Sequence, residues 1–290
     1  MVRVICLFEV YFELEEEART FIEKYGEYDN HAELQRKSDE KWGNKVVIFH
    51  PHELYATEYI TKAIADVFIQ HRESKWMEHT VRDTYYFQNK EEVQRIVELT
   101  MAIVNGTDED LKLPSEVIQL HPVLHKVVKQ NVLDKEMIHF DSIVKFRFKD
   151  YHQELIEMVG LAIDEYKREE EYQAFIQSLR EYISKKKAKM EHIHVVQGPY
   201  FTFYRENGSK LMRGELSQYI RKEPLFIVGL DENEWNLTPL LSLSPKRITV
   251  YGDDPSDPKT LTVYNVFQER VTVKPLKHFP FQTAQKNMRT

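Results

Sequence analysis

The residues that could carry chemistry fall into a few short stretches. In "VYGDDPSDP", residues 250–258, Asp253, Asp254 and Asp257 follow a strand-like run. Carboxylates just past the carboxyl end of a strand can hold a hard cation, and crevices at that edge are where open α/β sheets bind ligands. The same Asp, Gly and Pro residues also make an ordinary connecting loop. His192 and His194 flank Ile193 in "HIHVV". On a strand both point to one face, where they could bind a metal or a phosphate, or could line a wet sheet face. His121 and His125 are four apart, the helical spacing that zinc can use, but Pro122 stands where a metalloprotease has its Glu. His50 and His52 around Pro51 are a weaker pair of the same kind.

A second group is ionic. "IDEYKREEEYQAFIQSLREYI", residues 163–183, places Asp164, Glu165, Glu169, Glu170 and Glu171 on a helix. A di-metal carboxylate site needs inward glutamates and a Glu-x-x-His pair. No His follows these acids at that spacing, and Lys167, Arg168 and Arg180 are near enough to neutralise them. A solvated face is expected. "SIVKFRFKDY" alternates Lys145, Arg147 and Lys149 with Val144, Phe146 and Phe148. Such a strand could stack bases, or could bury its Phe face as an amphipathic strand. "SKKKAKM", with Lys185 to Lys187, reads as a solvated helix end or as a basic patch. The sequence has no Gly-x-Ser-x-Gly elbow, Walker loop or Gly-x-Gly-x-x-Gly.

The elements that must position these residues sit in a chain of 290 residues, 42% apolar and 30% charged. That composition builds a globular core. A net charge of −7 with no strongly basic half makes a broad nucleic-acid footprint unexpected. The single cysteine, Cys6, excludes an intrachain disulfide and a Cys-based zinc site, and its place in an apolar strand predicts an inert core thiol. With no leader-like start and no run of 18 apolar residues, a cytosolic protein without membrane association is expected.

Periodicity predicts strands at 2–12 and 45–50 and helices at 13–26, 53–77, 90–104 and, more weakly, 114–132. Residues 131–140 read as a link between halves. One or two long helices follow, with Leu155, Met158, Ala162, Tyr166, Tyr172, Ile176, Leu179 and Ile183 on one face and a break near Gly160. Short strands, "HIHVV" and "YFTFY", then make an antiparallel meander, and "RITVYG", "KTLTVYNVFQE" and "RVTV" make a closing βαβ unit. The expected fold class is α+β: a helical N-terminal region with a small sheet, long amphipathic helices, the meander and the βαβ unit. The expected segments are 1–135, 136–275 and a loose polar tail, 276–290.

The run "FDSIVKFRFKDYHQELIEMVGLAIDEYKREEEYQAFIQSLREYI", then "HIHVV" and the ending "LLSLSPKRITVYG…VFQERVTV", resembles the YtxC-like family of sporulation proteins over about 138–275. The shared elements are an F-x-R-F/L-x-x-Y entry, an A-x-D-E-Y/F turn, an E-Y-x-x-F-I step and a V/I-H-V strand. The resemblance implies an intracellular protein of spore-forming Gram-positive bacteria and no defined activity, cofactor or catalytic residue. The leading expectation is therefore a non-enzymatic protein that binds a protein partner, through the acidic helix near Glu165 to Glu171 or the edge of the small sheet. A metal-assisted phosphoesterase or nucleotide-acting enzyme using Asp253, Asp254, His192 and His194 is the alternative. Nucleic-acid binding through Lys145, Arg147 and Lys185 is a second. Oligomeric state is left open.

Overall fold

The computed structural model describes residues 6–107, 119–231 and 234–281. The chain divides into two compact units, Met1–Arg168 and Glu169–Thr290. The fold is α+β, with small mixed sheets and long helices.

The first unit begins with β1 (Cys6–Phe12), α1 (Glu15–Tyr28), β2 (Glu33–Asp39) and β3 (Gly43–His50). β1 pairs antiparallel with β3, and β3 antiparallel with β2. Phe8, Val10 and Phe12 alternate along β1 and are buried, as period-2 spacing on a half-covered sheet requires. β2 escapes the apolar pattern because it is an edge strand carrying Glu33, Gln35, Arg36 and Lys37, charges that discourage further pairing. At the turn into β3, Asp39 accepts from the amides of Lys41 and Trp42 at 2.9 Å each. Gly43 (φ 81°) sits where a Cβ would lie 2.9 Å from the Phe12 carbonyl, so only glycine fits. The α1 helix buries Ala18, Phe21 and Tyr25 and runs past Gly26, the expected stop, to a cap in which the Asp29 amide donates to the Tyr25 carbonyl.

The helix expected at 53–77 is longer and is broken in its hydrogen-bond pattern. α2 (Glu53–Phe68) passes into a π turn, Ile69–Glu73, then α3 (Ser74–His79), then a second π turn, Thr80–Thr84. Wide turns of this kind re-aim successive side chains. The first one sends each of three consecutive residues to a polar partner. His71 Nε2 meets Thr20 Oγ1 at 2.8 Å. Arg72 donates to both oxygens of the fully buried Glu17 and, at 2.9 Å, to Asp141 Oδ1. Glu73 accepts from the buried Tyr151 hydroxyl and lies 3.2 Å from His121 Nε2.

α4 (Lys90–Asn105) starts at Asn89, whose Oδ1 accepts from the amides of Glu91 and Glu92, and ends at left-handed Gly106. α5 (Leu120–Val132) follows; the expected helix start at 114–115 lies outside the described residues. β4 (Met137–His139) pairs parallel with β1, so the stretch read as a link is part of the first unit's sheet. The "SIVKFRFKDY" strand is corrected to helix. α6 (Phe140–Arg147) buries Ile143 and Val144 at helical spacing and leaves Phe146 68% exposed. α7 (Lys149–Ser184) is unbroken at Gly160. That glycine admits the Tyr85 hydroxyl, which would lie 2.8 Å from a Cβ there and donates to the Ile156 carbonyl at 2.9 Å.

In the second unit the end of α7 contributes Ile176, Leu179 and Ile183 to a core shared with Ile193, Val195, Ile248 and Val250. Its sheet has the order β6-β5-β7-β8, with β5 (His192–Val196), β6 (Thr202–Arg205), β7 (Arg247–Tyr251) and β8 (Val271–Lys274). Only β5 and β6 are antiparallel, so the expected meander reduces to this pair plus a bridge from Tyr204 to Lys210. β5 pairs parallel with β7, and β7 parallel with β8 across α10 (Pro258–Phe267), the expected βαβ unit. α8 (Arg213–Ile220) and α9 (Thr238–Leu243) lie between β6 and β7 in sequence. The segment after β8 is held rather than loose as far as residue 281. Leu276–His278 form a 3-10 turn, and Phe279, 8% exposed, packs on Tyr204 and Tyr251.

Candidate ligand-binding cleft

The first unit carries a cleft of about 390 Å³ between α3 and the junction of α6 with α7. α3 supplies Trp76 and His79, one turn apart. α6 supplies Val144, Lys145 and Phe146, and α7 supplies Lys149 and His152. Phe148 sits between the two helices (φ −86°, ψ 23°), and this kink turns its ring into the core and leaves the two lysines at the rim.

The floor is aromatic and pinned from beneath. Phe68 lies edge-on to Trp76 at 5.2 Å, to Phe148 at 4.9 Å and to Tyr151 at 5.2 Å. Edge-to-face rings of this sort hold one another's orientation as well as burying area. The His152 ring stands 5.4 Å from Trp76, and burial, with the His79 charge second, pushes its imidazole below the usual pKa. His79 Nδ1 lies 2.7 Å from Asp83 Oδ2. The Lys145 ammonium sits 5.4 Å over the exposed Phe146 ring. Among the described residues no Asp or Glu lines the cleft, and no carboxylate pairs with Lys145 or Lys149. An apolar body with an attached anion therefore matches both the floor and the rim.

The sequence pointed to this stretch through Lys145 and its neighbouring aromatics, but as a strand. Arg147 is exposed at the end of α6 and does not line the cleft. Lys185 is exposed beyond α7, in the other compact unit from Lys145 and Arg147, so the three do not form one basic stripe within a unit. Trp76 and His79 were missed; nothing in a helical stripe distinguishes a residue that floors a cleft from one that fills a core.

The other sequence candidates are occupied locally. His192 and His194 do share one face of β5, with ring centroids 4.1 Å apart. His192 Nε2 meets Thr249 Oγ1 and His194 Nδ1 meets the Tyr251 hydroxyl, both at 2.9 Å, and the Phe281 ring stands edge-on to His194 at 5.2 Å. Asp253 accepts from the Leu276 amide at 3.1 Å. Asp254 accepts from the Ser256 amide at 2.9 Å, and its own amide donates to Gln197. Asp257 caps α10, accepting from the Thr260 amide and hydroxyl at 3.0 Å each. These carboxylates serve loop amides, which is why Asp recurs in that turn. Asp164, Glu170 and Glu171 of the acidic helix are exposed, and Glu165 pairs with Arg168. His121 is tied to Glu73, and His125 is half-buried with its pKa lowered chiefly by burial. Among the described residues no three of His, Cys, Asp and Glu gather where they could hold a metal ion.

The buried histidine makes stability depend on pH. Burial, with the His192 charge second, pushes the His194 imidazole from 6.5 down to about 4. Between those values the unfolded chain binds a proton that the folded chain does not, so stability falls as pH drops through that window. The unfolding midpoint is expected to decline more steeply from pH 6.5 towards 4 in the parent than in His194→Gln, as followed by thermal melts in matched buffers. Superimposable profiles would count against a neutral, buried His194.

No helix among the described residues is long and apolar enough to cross a membrane. The sequence is similar to that of the uncharacterized protein YtxC of Bacillus subtilis (strain 168), with 30% identity over 229 residues, covering 76% of this chain and 78% of that protein. No solved structure matches it. The profile of the YtxC-like family matches residues 58–272, a span that contains the aromatic cleft and the second sheet up to the middle of β8, and the chain belongs to that family.

Proposed function

We propose that this protein works in the cytosol of sporulating cells by binding a protein partner, and that the Trp76 cleft takes an apolar side chain of that partner flanked by carboxylates. The observation that carries this reading is the pairing of a pinned aromatic floor with two lysines that have no carboxylate partner among the described residues. A core lysine pair of that kind would be neutralised; a rim pair left open supplies electrostatic steering and register for an incoming acidic segment. The cellular setting is the one that the resemblance to the YtxC-like family implies.

The test places a photo-crosslinking amino acid at Phe146, which is 68% exposed beside the cleft. A discrete cross-linked species is expected in sporulating cells. It is expected to disappear with Lys145→Glu/Lys149→Glu, which reverses the rim charge without touching the core, and spore yield is expected to fall with it. A cross-link pattern and spore yield indifferent to the charge reversal would overturn the reading.

A further inference from the structure

The second unit holds a separate cleft, also of about 390 Å³, whose walls are built differently. The Arg213 guanidinium lies 5.7 Å from the Tyr200 ring centroid and 5.5 Å from that of Trp235. Lys210 completes the cationic side, and among the described residues no Asp or Glu lines the cleft. The walls are fixed in advance. Lys259 donates to the Gly198 carbonyl at 2.6 Å, and the Phe201 amide donates to Asn236 Oδ1 at 3.0 Å, which together hold the loop bearing Tyr200. Glu234 accepts from the amides of Asn236, Leu237 and Thr238 at 2.9, 2.6 and 2.9 Å, which fixes the chain beside Trp235.

Two nearby carboxylates are thereby spent. Glu234 is used on backbone amides, and Glu215 is paired with Arg205. Among the described residues Arg213 and Lys210 have no carboxylate partner. Two aromatic rings already accommodate one flat, delocalised group, the guanidinium itself, and a volume of this size is at the small-ligand end of the usual range, about 300–1,000 Å³. Arginine stacked on aromatic rings is suited to phosphate through its donor fork and to a planar ring through its face.

We propose that this cleft binds a nucleoside monophosphate, its base taking the place of the exposed Arg213 guanidinium against Tyr200 and Trp235 and its phosphate held by the displaced Arg213 and by Lys210. The inference stands on other residues than the partner-binding cleft and does not depend on it.

The test is equilibrium dialysis of the full chain against AMP, GMP, CMP and UMP, with adenosine and ribose 5-phosphate as controls. At least one nucleotide is expected to bind with a dissociation constant below about 1 mM. Adenosine and ribose 5-phosphate are each expected to bind about tenfold or more weaker than the best nucleotide, because each lacks half of the contacts. Tyr200→Ala and Arg213→Ala, both at exposed side chains, are expected to weaken binding about tenfold with unchanged melting temperature. Arg213→Lys keeps the charge and the fold and is expected to weaken it too. The proposal is overturned if no nucleotide binds, if ribose 5-phosphate binds as tightly as the best nucleotide, or if Arg213→Lys and Tyr200→Ala both retain parent affinity.

Discussion

The Arg72→Ala variant is expected to lose about 3–5 kcal/mol of unfolding free energy, the cost of stripping a buried carboxylate of its partner. Glu17 is wholly buried on the inner face of α1, and both its oxygens accept from Arg72. Arg72 also reaches Asp141 in α6, so one guanidinium joins the first helix, the π turn and the sixth helix. Without it, Glu17 would be left as an unpaired buried carboxylate, which costs stability. Arg72→Lys is expected to recover only part of the loss, since an ammonium cannot serve two oxygens of Glu17 in a fork. Glu17→Met/Arg72→Met is expected to be more stable than Arg72→Ala, because it removes the buried charge along with its partner. Urea denaturation followed by circular dichroism measures all three. A loss in Arg72→Ala below about 1 kcal/mol, the range of a surface pair, would refute the assignment.

Phe68→Ala is the second large effect. The side chain is fully buried and its ring meets Trp76, Phe148 and Tyr151 edge-on. Truncation removes the transferred area and leaves a cavity that three stiff rings cannot close, for about 3–5 kcal/mol. Phe68→Leu keeps most of the volume and is expected to cost less than half as much. The two variants also separate stability from site geometry. Because Phe68 supports the cleft floor from below, Phe68→Ala is expected to alter the near-ultraviolet circular dichroism of Trp76, at temperatures where the far-ultraviolet spectrum is still native. An unchanged aromatic spectrum would show that the floor does not depend on this ring.

The parts of the fold that sequence spacing exposed are those where one face is apolar and the other is not. Val10 and Phe12, Ile60 and Ile64, Ile176 and Leu179 all declare their elements that way. β2 was silent because an edge strand gains protection from charge, which erases the alternation. The stretch at 140–149 misled because Lys145, Arg147 and Lys149 alternate with Val144, Phe146 and Phe148. Alternation over so few residues also fits a helix whose buried face is narrow, here Ile143 and Val144. Glu17 was illegible for a different reason. In "EEEAR" it is one of three adjacent glutamates, and only the distant Arg72 distinguishes the buried one. The cleft shares that difficulty: Trp76 and Lys149 are 73 positions apart in the chain. By contrast, His192 and His194 were placed correctly on one sheet face; what spacing did not reveal was that Thr249, Tyr251 and Phe281 are already there.

The two widened turns, at Ile69–Glu73 and Thr80–Thr84, also constrain how this chain can vary in length. Each holds a residue more than a regular helix would need and takes it up locally, whereas a residue gained or lost in a regular helix rotates everything beyond it by about 100°. Deleting a single position inside the first turn would let it close to a regular turn and leave Trp76 beside Phe68, while the turn's own residues His71, Arg72 and Glu73 would lose their places opposite Thr20, Glu17 and Tyr151. A one-codon loss is therefore borne by the rod only at these two turns, and in the first of them it would be felt by the buried polar partners rather than by the cleft floor.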